Sequence, residues 1–189
     1  MVGETVAEHR DQSERVLSGV DIGHKVRRLG AEILERSTGG ERLAYVGIHH
    51  RGVALARRVF EAATAERSDL VFGTLDISLH RDDFDNLGTL PTLKGSDIHF
   101  DVEGAHIVLF DDVLFTGRTT RAALDVLMEY GRPARIELAV LVDRGNRELP
   151  IAADYVGLEL KTRKTDYVKV CLRETDGEDA VYWDRKRQE

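Results

Sequence analysis

Cysteine is nearly absent from this chain of 189 residues. Cys171 stands alone, so no internal disulfide can form and no Cys cluster can hold zinc. No apolar run approaches the ~20 residues that a membrane span needs. Residues 1–15 are polar and acid-rich, without the apolar core of a signal peptide. These absences make the cytoplasm the expected location and a membrane partner unexpected. Internal repeats, linkers and low-complexity segments are also missing, and the length suits one domain. Positive charge is not in excess either: 27 Lys and Arg against 34 Asp and Glu leave a net charge of −7. That excludes a protein that coats nucleic acid with its whole surface, but a local basic face remains compatible. What the chain does have is 42% apolar residues beside 32% charged ones. That is enough apolar surface to offset chain entropy in a folded core.

Residues 1–18 show no periodicity and are expected to fray as a flexible segment, leaving one domain over 19–189. Ile22, Val26, Leu29 and Ile33 form a helical stripe, with Asp21 as its expected cap and Gly39-Gly40 as its stop. Leu43 to Ile48 reads as a buried strand, His49 to Gly52 as a turn, and Leu55, Ala56, Val59, Phe60 and Ala63 as the face of a second helix. Val71 to Leu79 alternates like a strand. The polar stretch from His80 to Asp97 is longer than most structureless loops, a mark of binding loops and lids. His106 to Phe110 and Ile136 to Val142 are further strands, separated by a helix with Ala123, Val126, Leu127 and Tyr130 on its stripe. Val168 to Leu172 is a late strand, and Val181 to Trp183 a short apolar tail. Helices alternating with apolar strands predict an α/β fold with a mostly parallel sheet covered on both faces.

The segment Ile107 to Thr120, IVLFDDVLFTGRTT, carries the chemistry. A buried strand delivers two adjacent carboxylates to its carboxyl end, where open α/β sheets bind ligands. A small polar turn then opens a helix, whose free amides and neighbouring Thr hydroxyls make an anion cradle. Acceptors for sugar hydroxyls beside donors for a phosphate suit a phosphorylated ribose. Ordinary turn and helix-start chemistry accounts for the same residue types. The segment is neither a P-loop nor GxGxxG, and no Ser-His-Asp or Cys-His arrangement is visible.

Four hydrophobics, two acids and a T-G-x-T turn resemble the phosphoribosyl pyrophosphate (PRPP) motif of type I phosphoribosyltransferases. DDVLFTGRT (Asp111 to Thr119) is similar to the form in the PyrR family, as are GIHHRGVALAR (47–57), GTLDISLHRDD (73–83), KGSDIHFDV (94–102), Gly131-Arg132-Pro133 and LVDRGNRELP (141–150). The resemblance spans about residues 20 to 183. It implies the type I phosphoribosyltransferase fold, with a small hood and a flexible catalytic loop. It also implies a protein that is both a pyrimidine-operon RNA attenuator and a uracil phosphoribosyltransferase. The purine salvage transferases share the Asp111 to Thr119 block but not DRGNRELP. An attenuator with little or no catalysis is the other alternative.

By this resemblance Asp111 and Asp112 bind the ribose hydroxyls of PRPP. Val113, Leu114, Phe115, Thr116, Gly117, Arg118 and Thr119 belong to the same PRPP and UMP site, with the 5′-phosphate held from Thr116 onward. Arg118 adds charge there or faces solvent. His50 and Arg51 lie in the pyrophosphate loop, where His49-His50 replaces a common Lys-Thr. Arg81, in the long loop, reaches the diphosphate or pairs with a neighbouring Asp. Backbone groups near Arg144 and Val168 line the base pocket, and Asn146 replaces a common His. Mg²⁺ is implied as the companion of PRPP, with no direct protein ligand, through PRPP and water near Asp111 and Asp112. Implied partners are PRPP, uracil, UMP, the mRNA leader of pyrimidine genes and further copies of the chain. Lys25, Arg27 and Arg28, with Arg144, Arg147, Lys161, Arg163 and Lys164, are the candidate RNA face or a solvated surface. Arg27 and Ala31 stand where the family commonly has Thr and His.

Overall fold

The computed structural model describes residues 13–37, 40–78 and 95–185. Short apolar runs bury themselves as neighbouring strands. β2 (Leu43–Ile48) is buried at every residue. It pairs in parallel with β3 (Val71–Leu75) on one side and β4 (His106–Leu114) on the other. β5 (Arg135–Asp143) and β6 (Tyr155–Glu159) extend the sheet, also in parallel, in the order β3-β2-β4-β5-β6. Alternate residues face opposite sides. Tyr45, Val108, Phe110 and Leu141 pack with Ile22, Leu29, Leu55 and Val59 of α1 (Gly19–Arg36) and α2 (Arg51–Ala63). Val46, Ile107, Leu109 and Val140 pack with Ala123, Val126 and Leu127 of α3 (Arg118–Met128). The covered parallel sheet is the one expected.

A second, antiparallel sheet forms the hood. Its order is β1 (Ser13–Ser18), β8 (Ala180–Asp184), β7 (Tyr167–Cys171), with the four-residue α4 (Arg173–Asp176) between β7 and β8. The expected fraying of residues 1–18 is therefore corrected for Ser13–Ser18, which pair with β8. Only Leu17 of this strand is buried, so no apolar pattern advertised it. Residues 1–12 lie outside the described residues.

Several boundaries also move. Ser18, not Asp21, caps α1: its hydroxyl accepts from the Asp21 amide at 3.3 Å, while the Asp21 carboxylate accepts from the Ser18 amide at 2.9 Å. This reciprocal capping box satisfies two donors. β3 ends at Leu75, because the Asp76 carboxylate accepts from the Ser78 and Gly95 amides and turns the chain. β4 runs on to Leu114, so both aspartates lie inside the strand, held by the ladder to β5. β6 went unseen, since it is short and its Gly157 presses against the Leu141 carbonyl. Tyr130 is exposed and lies beyond α3, not on its buried stripe. Among the described residues, no helix is long and apolar enough to cross a membrane.

Candidate active site

β2, β4 and β5 are parallel neighbours, so the three loops that leave their carboxyl ends gather at one sheet edge. The first is the turn from β2 into α2. The His49–His50 peptide is cis, and the His49 amide donates to the Leu75 carbonyl at 2.9 Å. His50 precedes α2 without a side-chain cap, so the first amides of the helix are left to other acceptors. A Cβ at Gly52 would collide with the Phe110 carbonyl and lie 3.2 Å from the Asp111 Cα. That close approach brings His50 and Arg51 beside the two aspartates.

The second loop joins β4 to α3. Asp111 is 7% exposed, and its Oδ1 accepts from the Asp112 amide at 2.9 Å. Burial pushes the Asp112 carboxyl above its ordinary value of 3.8, against the opposing pull of the Asp111 hydrogen bond and the Arg51 charge. Gly117 opens α3 in the left-handed region, φ 92°, where a side chain would be strained. Gly117 itself has no side chain with which to cap this helix start. The Thr116 hydroxyl accepts from the Arg118 amide at 3.4 Å, and its carbonyl takes the Glu148 and Leu149 amides. Thr119 is half-buried in the same turn, and the buried Thr120 hydroxyl has no partner among the described residues. Val113 and Leu114 turn their side chains into the two cores, and both pair with β5 in the ladder. Arg118 is half-exposed and pairs with Glu148 at 3.0 Å.

The third loop follows β5. Arg144 does not reach solvent: burial lowers its pKa, and it donates to the Asp166 and Arg163 carbonyls at 2.6 and 3.0 Å. Its guanidinium lies 4.1 Å from the Phe115 ring centroid. Its own amide donates to the Leu114 carbonyl at 3.1 Å, tying this loop to the second. Val168, on β7, is buried in the core with α1 and α2, so its side chain is structural. Arg81 falls outside the described residues. Two adjacent carboxylates supply the hard oxygen donors that suit Mg²⁺ with its waters.

Residues 12–174 match the family model of the phosphoribosyl transferase domain. The chain is 52% identical over 168 residues to the "Bifunctional protein PyrR" of Desulfosudis oleivorans, covering 88% of this chain and 93% of the relative. It is 49% identical over 173 residues to that of Thermus thermophilus, covering 90% and 96%. The chain belongs to the PyrR family. The solved hypoxanthine phosphoribosyltransferase of Staphylococcus aureus shares the type I fold, with a TM-score of 0.68 and 22% identity over 95% of this chain and 96% of that one. That of Trypanosoma cruzi has a TM-score of 0.69 at 16% identity, covering 91% of each chain.

Within this PyrR framework the departure at Asn146 has a local reason. Asn146 adopts φ 60°, which Asn tolerates well, and its amide donates to the Thr162 carbonyl at 3.0 Å. The basic clusters divide. Arg28 donates to the Val156 and Gly157 carbonyls of β6 at 2.6 and 2.9 Å and pairs with Glu32, so it seals the last strand of the sheet against α1. Arg147 donates to the Phe115 and Ile151 carbonyls, both at 2.9 Å, and pairs with Asp143. Those two arginines build the fold. Lys164 pairs with Glu148, and Arg163 with Asp166. Lys25 is half-buried, while Arg27 and Lys161 are exposed. Lys161 follows β6, about 15 Å along the strand direction from the carbonyls that Arg28 holds.

One site residue escaped the sequence reading. Asp176, in α4 of the hood, takes Arg51 by two bonds: Nε to Oδ2 at 3.0 Å and Nη2 to Oδ1 at 2.6 Å. The two residues are 125 positions apart, and no local pattern links them. The only signal was a cluster of acids, Glu174 to Asp179, with Arg173 as its single adjacent base.

Proposed function

We propose that this chain converts uracil and PRPP to UMP and diphosphate. One observation carries the reading. Two helix starts whose N-cap residues, His50 and Gly117, supply no side-chain cap converge at a sheet edge on the Asp111-Asp112 pair, one of them bearing Arg51. Asp111 and Asp112 accept the adjacent ribose hydroxyls. The amides of Gly117 to Thr120, with the Thr116 and Thr119 hydroxyls, hold the 5′-phosphate. Arg51 and the amides near His50 hold the diphosphate. Arg81 is assigned to the same diphosphate. Backbone groups near Arg144 and Val168 orient uracil.

Uracil N1 then attacks the anomeric carbon as the C–O bond to diphosphate breaks, and N1 loses its proton. Positive charge developing on the ribose is stabilised by the carboxylate pair beneath it. The rate gain comes from placing the reactants and stabilising charge, with no covalent enzyme intermediate. Asp111 and Asp112 would hold Mg²⁺ through its waters and PRPP, where it would supply neutralising charge to the diphosphate. The reaction belongs in the cytoplasm, in an oligomer of this chain.

The two relatives compared above, at about half identity, are both named PyrR, whereas the purine enzymes share the fold alone. Uracil is therefore favoured over a purine base. Labelled UMP should form from labelled uracil and PRPP when Mg²⁺ is present. Hypoxanthine, guanine and adenine should give at least tenfold less product, the scale of discrimination when a polar pocket meets the wrong partner. Turnover of a purine in place of uracil would reject the reading.

The relatives' name, "bifunctional", supports a second role as a UMP-responsive RNA binder that attenuates pyrimidine genes. Arg27, Lys161, Lys164 and Lys25 are the residues available for it. Arg27→Ala with Lys161→Ala should weaken binding of a pyrimidine-gene leader RNA and flatten its salt dependence, while UMP formation stays within twofold. Unchanged RNA affinity would assign those cations to solvent.

A further inference from the structure

We propose that Asp176 is the positioning residue for Arg51, setting affinity for diphosphate-bearing ligands without touching them. The inference rests on the reading that Arg51 faces the diphosphate. A free arginine side chain samples many rotamers, and binding an anion must freeze them. Here the Asp176 carboxylate occupies the Nε–Nη2 edge of the guanidinium by two charge-assisted bonds. The Nη1 edge keeps its donors for another acceptor.

Asp176 is itself fixed, accepting from the Leu172 amide at 3.0 Å and the Thr175 hydroxyl at 2.9 Å. Its pKa is driven well below the ordinary carboxylate range, first by the Arg51 hydrogen bond, so it stays ionised near neutrality. A second tie joins α4 to α2 beside this pair: Arg58 forks to Glu174 at 2.8 and 2.6 Å and reaches Asp179, just beyond α4, at 2.6 Å. Arg58 lies two turns beyond Arg51 on the same face of α2. The acidic turn thus has an anchor besides Arg51, and its Asp176 carboxylate addresses the pyrophosphate loop.

The test is calorimetric titration of wild type and Asp176→Asn with Mg-diphosphate and, separately, with UMP, beside steady-state kinetics in PRPP. The Kd for Mg-diphosphate and the KM for PRPP should rise about tenfold, with kcat and the UMP Kd within twofold. Asp176→Glu, which keeps the charge, should restore part of the loss. In an Arg51→Lys background, Asp176→Asn should cost little more. Glu174→Gln, which touches only the Arg58 anchor, should lower Tm and leave both affinities within twofold. Tighter diphosphate binding by Asp176→Asn would make Asp176 a competing anion and overturn the proposal. Equal weakening toward UMP and diphosphate, or no change toward either, would overturn it too. Failure of the wild type to bind UMP or diphosphate at all would instead sink the underlying reading of the site.

Discussion

Strand β4 carries ionisable groups at both ends, and the fold treats them oppositely. At the amino end His106, 1% exposed, sits between Glu137 at 2.8 Å and Glu41 at 3.1 Å. The Tyr155 hydroxyl donates to Glu137 at 2.8 Å, and Arg36 and Arg135 lie within 3.8 Å of its carboxylate. Burial alone would raise the pKa of Glu137, but the bonds from Tyr155 and His106 and the charge of Arg135 outweigh it and leave the group lowered. At the carboxyl end the balance reverses. Burial of Asp112 outweighs the Asp111 bond and the Arg51 charge, and its pKa is raised. At the amino end the partners of Glu137 outweigh its desolvation, whereas a carboxyl raised by desolvation, as at Asp112, is a property common at functional sites. One strand therefore separates a stabilising edge from a reactive one.

That contrast breaks most sharply at Gly52. Gly52→Val would drive side-chain atoms into the Phe110 carbonyl and lever the pyrophosphate loop away from Asp111. UMP formation should fall about a hundredfold or more, read by product assay, with Tm lowered. At the other end, Glu137→Ala strips His106 and Tyr155 of their shared partner. Stability should drop by about 3 kcal/mol in denaturant titration, while kcat of the folded fraction stays within twofold. Ser18→Ala removes the α1 cap and should cost about 1 kcal/mol without changing kinetics.

The pH dependence has opposite signs at the two ends. Glu137, with a lowered folded pKa, contributes stability above the ordinary carboxylate range, lost as pH falls through it. Asp112, with a raised one, lowers stability as pH rises from 3.8 through its folded value. The Tm difference between Asp112→Asn and wild type should thus open as pH rises toward neutrality and close near pH 4. Melting curves across pH 4 to 8 check it. A difference that narrows toward neutrality would mean that burial is not what raises Asp112.

Much of this was legible in the residues themselves. β2, residues 107–110 of β4 and residues 138–142 of β5 are continuous apolar runs, as buried parallel strands require. The turns before α2 and α3 declared themselves by glycine, threonine and arginine after such runs. What stayed hidden depends on distant partners. β1 has one buried residue and exists because β8 pairs with it. Arg28, Arg144 and Arg147 read as surface cations, yet each is consumed by backbone carbonyls across the fold. A guanidinium with an unsealed strand or loop beside it finds those acceptors, and sequence spacing does not reveal them. Arg51 was read as a ligand for diphosphate, but its Asp176 partner needed the hood in place.

The central claim is that the carboxyl end of β4 gives up stability for chemistry, and Asp112→Asn tests it most directly. UMP formation from uracil and PRPP should be measured at neutral pH beside Tm on the same preparation. The account predicts a loss of turnover of about a hundredfold or more together with a rise in Tm of a few degrees. Retained turnover, or a fall in Tm, would contradict it.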